Sequence, residues 1–360
     1  MKLIFLSKRR PQGRDLFIDP YGRFFHLPRL LAASGHEVHL LLLSYRRDAA
    51  ESRRIDGLHM HTVSVLPLGP WPYLAKADAL CAEIGPDWIV GFSDTWYGIL
   101  AARLAARHDC RALVDAYDNY ESYIPWARPL HWAWRRALAR ADAVTAAGPQ
   151  LADLMRDSSG HASVEVVPMA ADSAFVPLPQ AKCRLELGLP QHGRLVGYSG
   201  SLHPNRGIDL LAAVYARLRE VDPQIGLVLS GRLFSGIKLP PGVHWLGYRP
   251  AEQVPLILNS LDMVFVVNQP GAFGDYSYPA KLYEAMACGV PVVAADVPGT
   301  SWVLREHPEM LARAGNVDDF VVRTLATFAR DRAPYVAPAG WVTSASILEK
   351  LLISGCTHTS

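Results

Sequence analysis

Tyr278 to Thr300 read "YPAKLYEAMACGVPVVAADVPGT", and the order of residue types in this stretch decides the fold. Pro279 suits a first helical turn, where its missing N–H costs nothing, and Gly289 suits the position just past a helix end. The spacing therefore predicts a helix over about 279–288. The apolar run "PVVAAD" that follows is short, partly β-branched and bounded by turn residues, as a buried parallel strand should be. Lys281 and Glu284 share one side of the helix, away from the side that buries Leu282 and Met286. Two readings of the pair stay open: a solvated ion pair, or a charged side offered to a ligand. The helix start faces the loop "GAFGDYSY", and its unsatisfied N–H groups make a ready site for a diphosphate.

Outward from this stretch, short apolar runs alternate with longer helical patterns. The first half offers "KLIFLS", "EVHLLLLS", "GLHMHTVSV", "DWIVGF", "RALVDAY" and "AVTAAG" as strands, with helices through "GRFFHLPRLLAASGH" and "YGILAARLAARH". The second half repeats the alternation with "RLVGYSG", "IGLVLSG", "VHWLGY" and "MVFVVN", and with helices in "IDLLAAVYARLREV", "AEQVPLILNSL" and "DDFVVRTLATFAR". Such a pattern predicts the α/β class: two Rossmann-like domains with parallel sheets facing a central cleft, and ligands at the strands' carboxyl ends. A chain of 360 residues is long enough for two cores. "PMAADSAFVPLPQ" lacks periodicity and reads as the linker. The expected division is a first, acceptor-binding domain over 1–172, a linker over 173–180 and a second, nucleotide-binding domain over 181–335. A helix and tail over 336–360 then pack back on the first domain.

Composition narrows the function. The 36 basic and 34 acidic residues leave a formal charge of +2, without the basic excess of a nucleic-acid binder. Cys81, Cys110, Cys183, Cys288 and Cys356 show no C-x-x-C spacing, and read as reduced thiols of a cytoplasmic protein. The apolar run in "MKLIFLSKRR" is too short for a signal peptide, and no stretch approaches the ~18 apolar residues of a membrane span. "YIPWARPLHWAWRRALARA" sets Trp126, Trp132 and Trp134 among Arg128, Arg135 and Arg136. That mixture reads either as a core helix with a basic outer face or as a segment lying on an anionic membrane, which would make the protein peripheral on its inner face.

The opening stretch resembles the donor-site signature of retaining GT-B glycosyltransferases, specifically glycosyltransferase family 4. "SGSLHPNRGIDLL" resembles the family's glycine loop, "WLGYRPAEQVPLILNSLD" its nucleobase segment, and "SGHEVHLLLL" and "ADAVTAAG" its first-domain strands. The resemblance implies transfer, with retention, of a hexose-type sugar from a nucleoside diphosphate sugar to a hydroxyl of a sugar or lipid-linked sugar. UDP is favoured as the nucleotide and GDP stays open; the setting is cell-surface polysaccharide or glycolipid synthesis. No cofactor beyond the donor co-substrate, and no metal, is implied.

Site residues follow from the same resemblance. Glu284 would take the ribose hydroxyls, and Arg206, just before Gly207, would aim a cation at the diphosphate. Gly200 would let the backbone approach the phosphate and Ser201 would donate a hydroxyl. The family commonly has an arginine where Ser201 stands, so Lys281 becomes the preferred second cation, with Arg232 as the other choice. Tyr248 and Arg249 would flank the nucleobase, and Leu282 and Tyr276 complete the donor set. Tyr276 occupies the place of a usual acidic residue; the adjacent Asp275 either takes over that role or merely forms a turn. In "LVDAYDNYES" the family often has a histidine at Tyr117. Without it, Asp118 is the group to accept from or orient the acceptor hydroxyl, with Asp115 and Glu121 nearby, unless it caps a helix. Near the amino terminus Arg14, Asp19, Tyr21 and Arg23 would line the acceptor pocket or cap the next helix. Two other classes share these features: a GT-B-type nucleotide-sugar epimerase or sugar phosphorylase, and a non-catalytic two-domain sugar-binding protein.

Overall fold

The computed structural model describes residues 1–161, 163–203, 206–328, 335 and 340–357. The chain forms two compact units: Met1–Met169 together with Ala339–Ser360, and Ala170–Pro338. The residues around the division read at 335, other than Tyr335, lie outside the described ones.

The first unit runs β1 (Lys2–Lys8), α1 (Arg23–Ala33), β2 (Glu37–Ser44), β3 (Ser52–Ile55), β4 (Leu58–Ser64), α2 (Trp71–Ile84) and β5 (Trp88–Gly91). It continues with α3 (Thr95–His108), β6 (Arg111–Ala116), α4 (Arg128–Arg140), β7 (Ala143–Ala146), α5 (Pro149–Ser159) and β8 (Val164–Val166). Its sheet has the order β3-β4-β2-β1-β5-β6-β7-β8. Every pairing is parallel except β3 with β4, where Ser52 to Ile55 turn back on the edge. The central strands are apolar on both faces, as helices on both sides of a parallel sheet require.

The second unit runs α6 (Gln180–Glu186), β9 (Leu195–Ser199), α7 (Ile208–Val221), β10 (Gly226–Ser230), β11 (His244–Trp245), α8 (Val254–Asn259) and β12 (Met263–Val266). Then come α9 (Ala280–Ala287), β13 (Val292–Asp296), α10 (Pro298–Val303), β14 (Leu311–Arg313) and α11 (Val317–Phe328). All pairings in the order β11-β10-β9-β12-β13-β14 are parallel. Alternate strand residues divide between two cores. Val196, Leu227, Leu229 and Phe265 pack with α7 and α11, whereas Leu195, Val228, Val264 and Val266 pack with Leu258 of α8 and with Leu282, Ala285 and Met286 of α9. The chain leaves β9 toward β10 on one side and returns to β12 on the other, so the strand order reverses between β9 and β12.

A last helix, α12 (Trp341–Thr357), belongs to the first unit. Its buried stripe of Trp341, Ala345, Leu348 and Leu352 has helical spacing. Trp341 stacks on His26 of α1, Glu349 meets His36 at 2.8 Å, and the Trp88 indole N–H donates to the Leu352 carbonyl.

Trp134 of α4 is buried, with Tyr120 edge-on to it and Gly98 of α3 beneath; a Cβ on Gly98 would come within 2.6 Å of the indole. The membrane reading of Trp134 is thus corrected: neighbours at helical spacing two apart point opposite ways, and this one points into the core. Where β2 pairs with β4, His39 of β2 stacks against His59 and His61 of β4, with 3.1 Å between His39 Nδ1 and His61 Nε2. Burial lowers the pKa of His39 and takes that of His61 down to about 4.

Candidate active site

In the second unit a pocket of about 250 Å³ opens at the strand-order reversal, lined by Tyr198 at the end of β9, Arg206, the loop Val267–Gly274 after β12, and Pro279 and Lys281. Open parallel sheets bind ligands at such reversals because the diverging loops leave a crevice there. A neighbouring pocket of about 210 Å³ is lined by Ser201, His203, Arg206 and Phe234, so Arg206 borders both.

Each cation is seated on an aromatic ring. The Arg206 guanidinium lies 4.7 Å from the Phe273 ring centre and the Lys281 ammonium 3.7 Å from that of Tyr198. These contacts hold two positive charges at the pocket wall, each worth ~0.5–2 kcal/mol depending on solvation. Gly200 has φ +145, and a Cβ there would lie 2.8 Å from Lys281 Nζ. Glycine thus serves two ends at once: it takes a conformation other residues avoid, and it clears space for the lysine. Pro279 caps α9 and Gly289, at φ +65, follows its end, so the helix starts at the pocket. Its positive end adds to the two cations.

Glu284 is half-buried one turn after Lys281. Ser201 and Arg232 are exposed, and Tyr248 is exposed as well. Arg249 closes its own loop, its Nε donating to the Leu246 carbonyl at 2.7 Å. Asp275 and Tyr276 share a single short helical turn, Gly274–Tyr276, beside the pocket loop. Leu282 requires correction: its side chain is fully buried in the core and its amide donates to the Pro279 carbonyl, so it holds the helix rather than the ligand.

In the first unit, the segment after β6 carries the remaining residues. Asp118 is buried, and Tyr123 donates its hydroxyl to it at 2.6 Å. Tyr117 packs edge-on against Phe24. Glu121 receives two hydrogen bonds from Arg135. Arg14 pairs with Asp19 and stacks on Tyr21, whose hydroxyl donates to the Pro11 carbonyl. Arg23 requires correction too. It is buried, grips both oxygens of the equally buried Asp115 and donates to the Val167 carbonyl, while Thr145 donates to the same carboxylate. That network ties α1, β6 and β7 together and leaves Arg23 no reach to an acceptor.

Tyr198, Asn268 and Phe273 line the pocket without having been singled out from the sequence. The available signal was positional: each lies at or just after the carboxyl end of a predicted strand.

The fold is that of the GT-B glycosyltransferases. Among solved structures, sucrose-phosphate synthase from Thermosynechococcus elongatus superposes with a TM-score of 0.74 at 18% identity, covering 98% of this chain and 97% of that one. Anabaena HepE in complex with UDP gives 0.76 at 19%, covering 98% and 100%. The profile of the glycosyl transferase 4-like domain matches residues 23–170, and that of the glycosyl transferases group 1 matches residues 193–329; the chain belongs to this glycosyltransferase family. A D-inositol 3-phosphate glycosyltransferase of Stackebrandtia nassauensis is 27% identical over 327 residues, 77% of this chain and 72% of that one. The same enzyme of Salinispora arenicola is 30% identical over 193 residues, 47% and 42% of the two chains.

Proposed function

We propose that the chain transfers a hexose-type sugar, with retention and without a metal, from a UDP-sugar to a hydroxyl of a sugar or lipid-linked sugar. GDP-sugars are the second choice. The observation that carries this reading is the pocket at the β9–β12 reversal with Arg206 and Lys281 on its wall and the start of α9 beside them. UDP in the HepE complex supports the choice of nucleotide, and HepE has also been solved with UDP-glucose.

As the bond from the anomeric carbon to the diphosphate breaks, negative charge builds on the leaving oxygens. Arg206 can offer two parallel N–H donors to them and Lys281 a compact charge. The pocket would therefore stabilise the leaving group with fixed cations and a helix dipole, the arrangement from which we infer metal independence. Glu284 is assigned to the ribose hydroxyls, Gly200 and Ser201 to the phosphates, and Tyr248 and Arg249 to the base. Asp275 or Tyr276 would meet the transferred sugar. Asp118 is assigned to the acceptor hydroxyl, with Arg14, Asp19, Tyr21, Tyr117 and Glu121 around the acceptor. The acceptor belongs to cell-surface polysaccharide or glycolipid synthesis, and the chain meets it against an anionic membrane surface on the cytoplasmic side. Among the described residues no helix is long and apolar enough to cross a membrane.

Calorimetric titration with UDP-, GDP- and ADP-sugars, followed by acceptor screening and analysis of the product's anomeric configuration, tests the reading. Binding of a UDP-sugar and transfer with retention are expected. Release of free sugar alone, or binding without turnover on any acceptor, would contradict it.

A further inference from the structure

Helices α2, α3 and α4 each connect two parallel strands, so each begins at the sheet edge where the strands end. α3 packs against both α2 and α4, so three neighbouring helices begin at the same end of the sheet. Trp71 opens α2, Trp96 is second in α3, Trp126 lies just before α4, and Trp132 lies in its early part. Their exposures are 72, 57, 76 and 64%. Four large exposed indoles along one edge form an apolar rim of a kind that a solvated surface does not need.

Charge left unpaired on the rim is mainly basic, with Glu51 exposed as the acidic exception. α4 carries Arg128, Arg135, Arg136 and Arg140 and no acidic residue. Glu121 is held by Arg135, Asp94 faces Lys8 at 3.6 Å, and Asp48 is paired with Arg10. Arg136 stacks on Trp132, 5.4 Å from its ring centre. Among the described residues, Arg128 and Arg136 enter no ion pair, and Arg46 and Arg47 are exposed after β2.

We propose that this rim of the first unit docks on a bilayer surface carrying anionic headgroups. Indoles have an apolar body and one N–H, which suits the level of the headgroups, and guanidinium groups beside them meet phosphates. The inference deepens the membrane contact of the proposed function and rests on it. It also changes its residues, since Trp134 faces the core while Trp71 and Trp96, distant in sequence, join the rim.

The test uses the full chain with vesicles of phosphatidylcholine alone and of phosphatidylcholine and phosphatidylglycerol in equal parts. Co-sedimentation with the anionic vesicles, weakened by salt and accompanied by a blue shift of indole emission, is the expected result. Arg128→Glu with Arg136→Glu should weaken binding at least about tenfold, since each basic group near such a surface contributes ~1 kcal/mol. Trp126→Ser with Trp132→Ser should weaken it comparably, and Val342→Ser, at another exposed apolar position, should leave it unchanged. Circular dichroism checks that the variants fold. The inference is overturned by absence of binding, by binding that survives both double substitutions, or by equal loss in Val342→Ser. It is also overturned if the tryptophan variant dissolves a dimer on size exclusion while vesicle binding persists, for then a second copy covers the rim. UDP titration run in parallel separates the readings: normal UDP affinity without vesicle binding removes the membrane contact alone, and vesicle binding without UDP affinity removes the donor assignment alone.

Discussion

Lys281 rests on Tyr198 and beside Gly200, a position that a solvated partner of Glu284 would have no reason to take. That separates the roles of two residues on one side of α9. Glu284→Ala should weaken UDP-sugar binding roughly ten- to a hundredfold, because a carboxylate accepting hydroxyl hydrogen bonds contributes ~1.5–3 kcal/mol. Calorimetry checks it; unchanged affinity in a folded variant would remove the ribose assignment. Lys281→Ala should instead lower single-turnover rate by on the order of a hundredfold, more than it lowers affinity, since charge on the diphosphate grows toward the transition state. Asp118→Asn is expected to slow transfer while UDP binding holds. At this scale the sequence was informative where a motif fixes spacing: Arg206 and Lys281 do line one pocket. It was silent on Phe273 and Tyr198, because an aromatic shelf under a cation is made by residues far apart in the chain. It misled at Arg23, where a charged residue beside a loop looks solvent-facing until its partner, Asp115, arrives from another strand.

Elements read by periodicity were the easier part. α9 and β13 follow from one capping proline, one glycine and one apolar run, and each parallel strand buried on both faces declares itself as such a run. Some pieces escaped: β3, β8 and β14 have too few residues to show a period, β11 covers only His244 and Trp245 of the longer run that suggested it, and the longer helices α2 and α5 escaped as well. The buried pair that joins α1 to β6 has a measurable consequence. Arg23→Ala leaves Asp115 charged and buried, and should cost ~3–5 kcal/mol in urea unfolding. A residue that merely lined an acceptor pocket would leave the unfolding midpoint in place. The stacked histidines on β2 and β4 set a pH dependence of defined sign. Unfolded histidines take up protons near pH 6.5, whereas His61 resists until about pH 4, so the unfolded state binds more protons between these values. Stability should therefore rise with pH across that window and fall on acidification, with Glu37 and Glu83 opposing the loss and Lys76 adding to it. Melting temperatures measured from pH 4 to 7 would show the slope, and His61→Gln should flatten it.

For the whole chain, one expectation is chemical: turnover with a matched donor and acceptor should persist in EDTA, and loss restored by magnesium or manganese would contradict the cation-based leaving-group reading. A second concerns how the protein is made. α12 completes the first unit, but it follows the entire second unit in the chain. During synthesis, Met1–Met169 emerges with the ground for Trp341, Leu348 and Leu352 still bare, and must wait for roughly 190 further residues. At ~5–20 residues per second that is on the order of ten seconds or more, during which His26, His36 and Trp88 lack their final partners. The second unit meets no such delay, so the half of the chain made first is finished last, and a ribosome stalled before residue 341 would hold a donor-side unit ready to fold beside an unfinished companion.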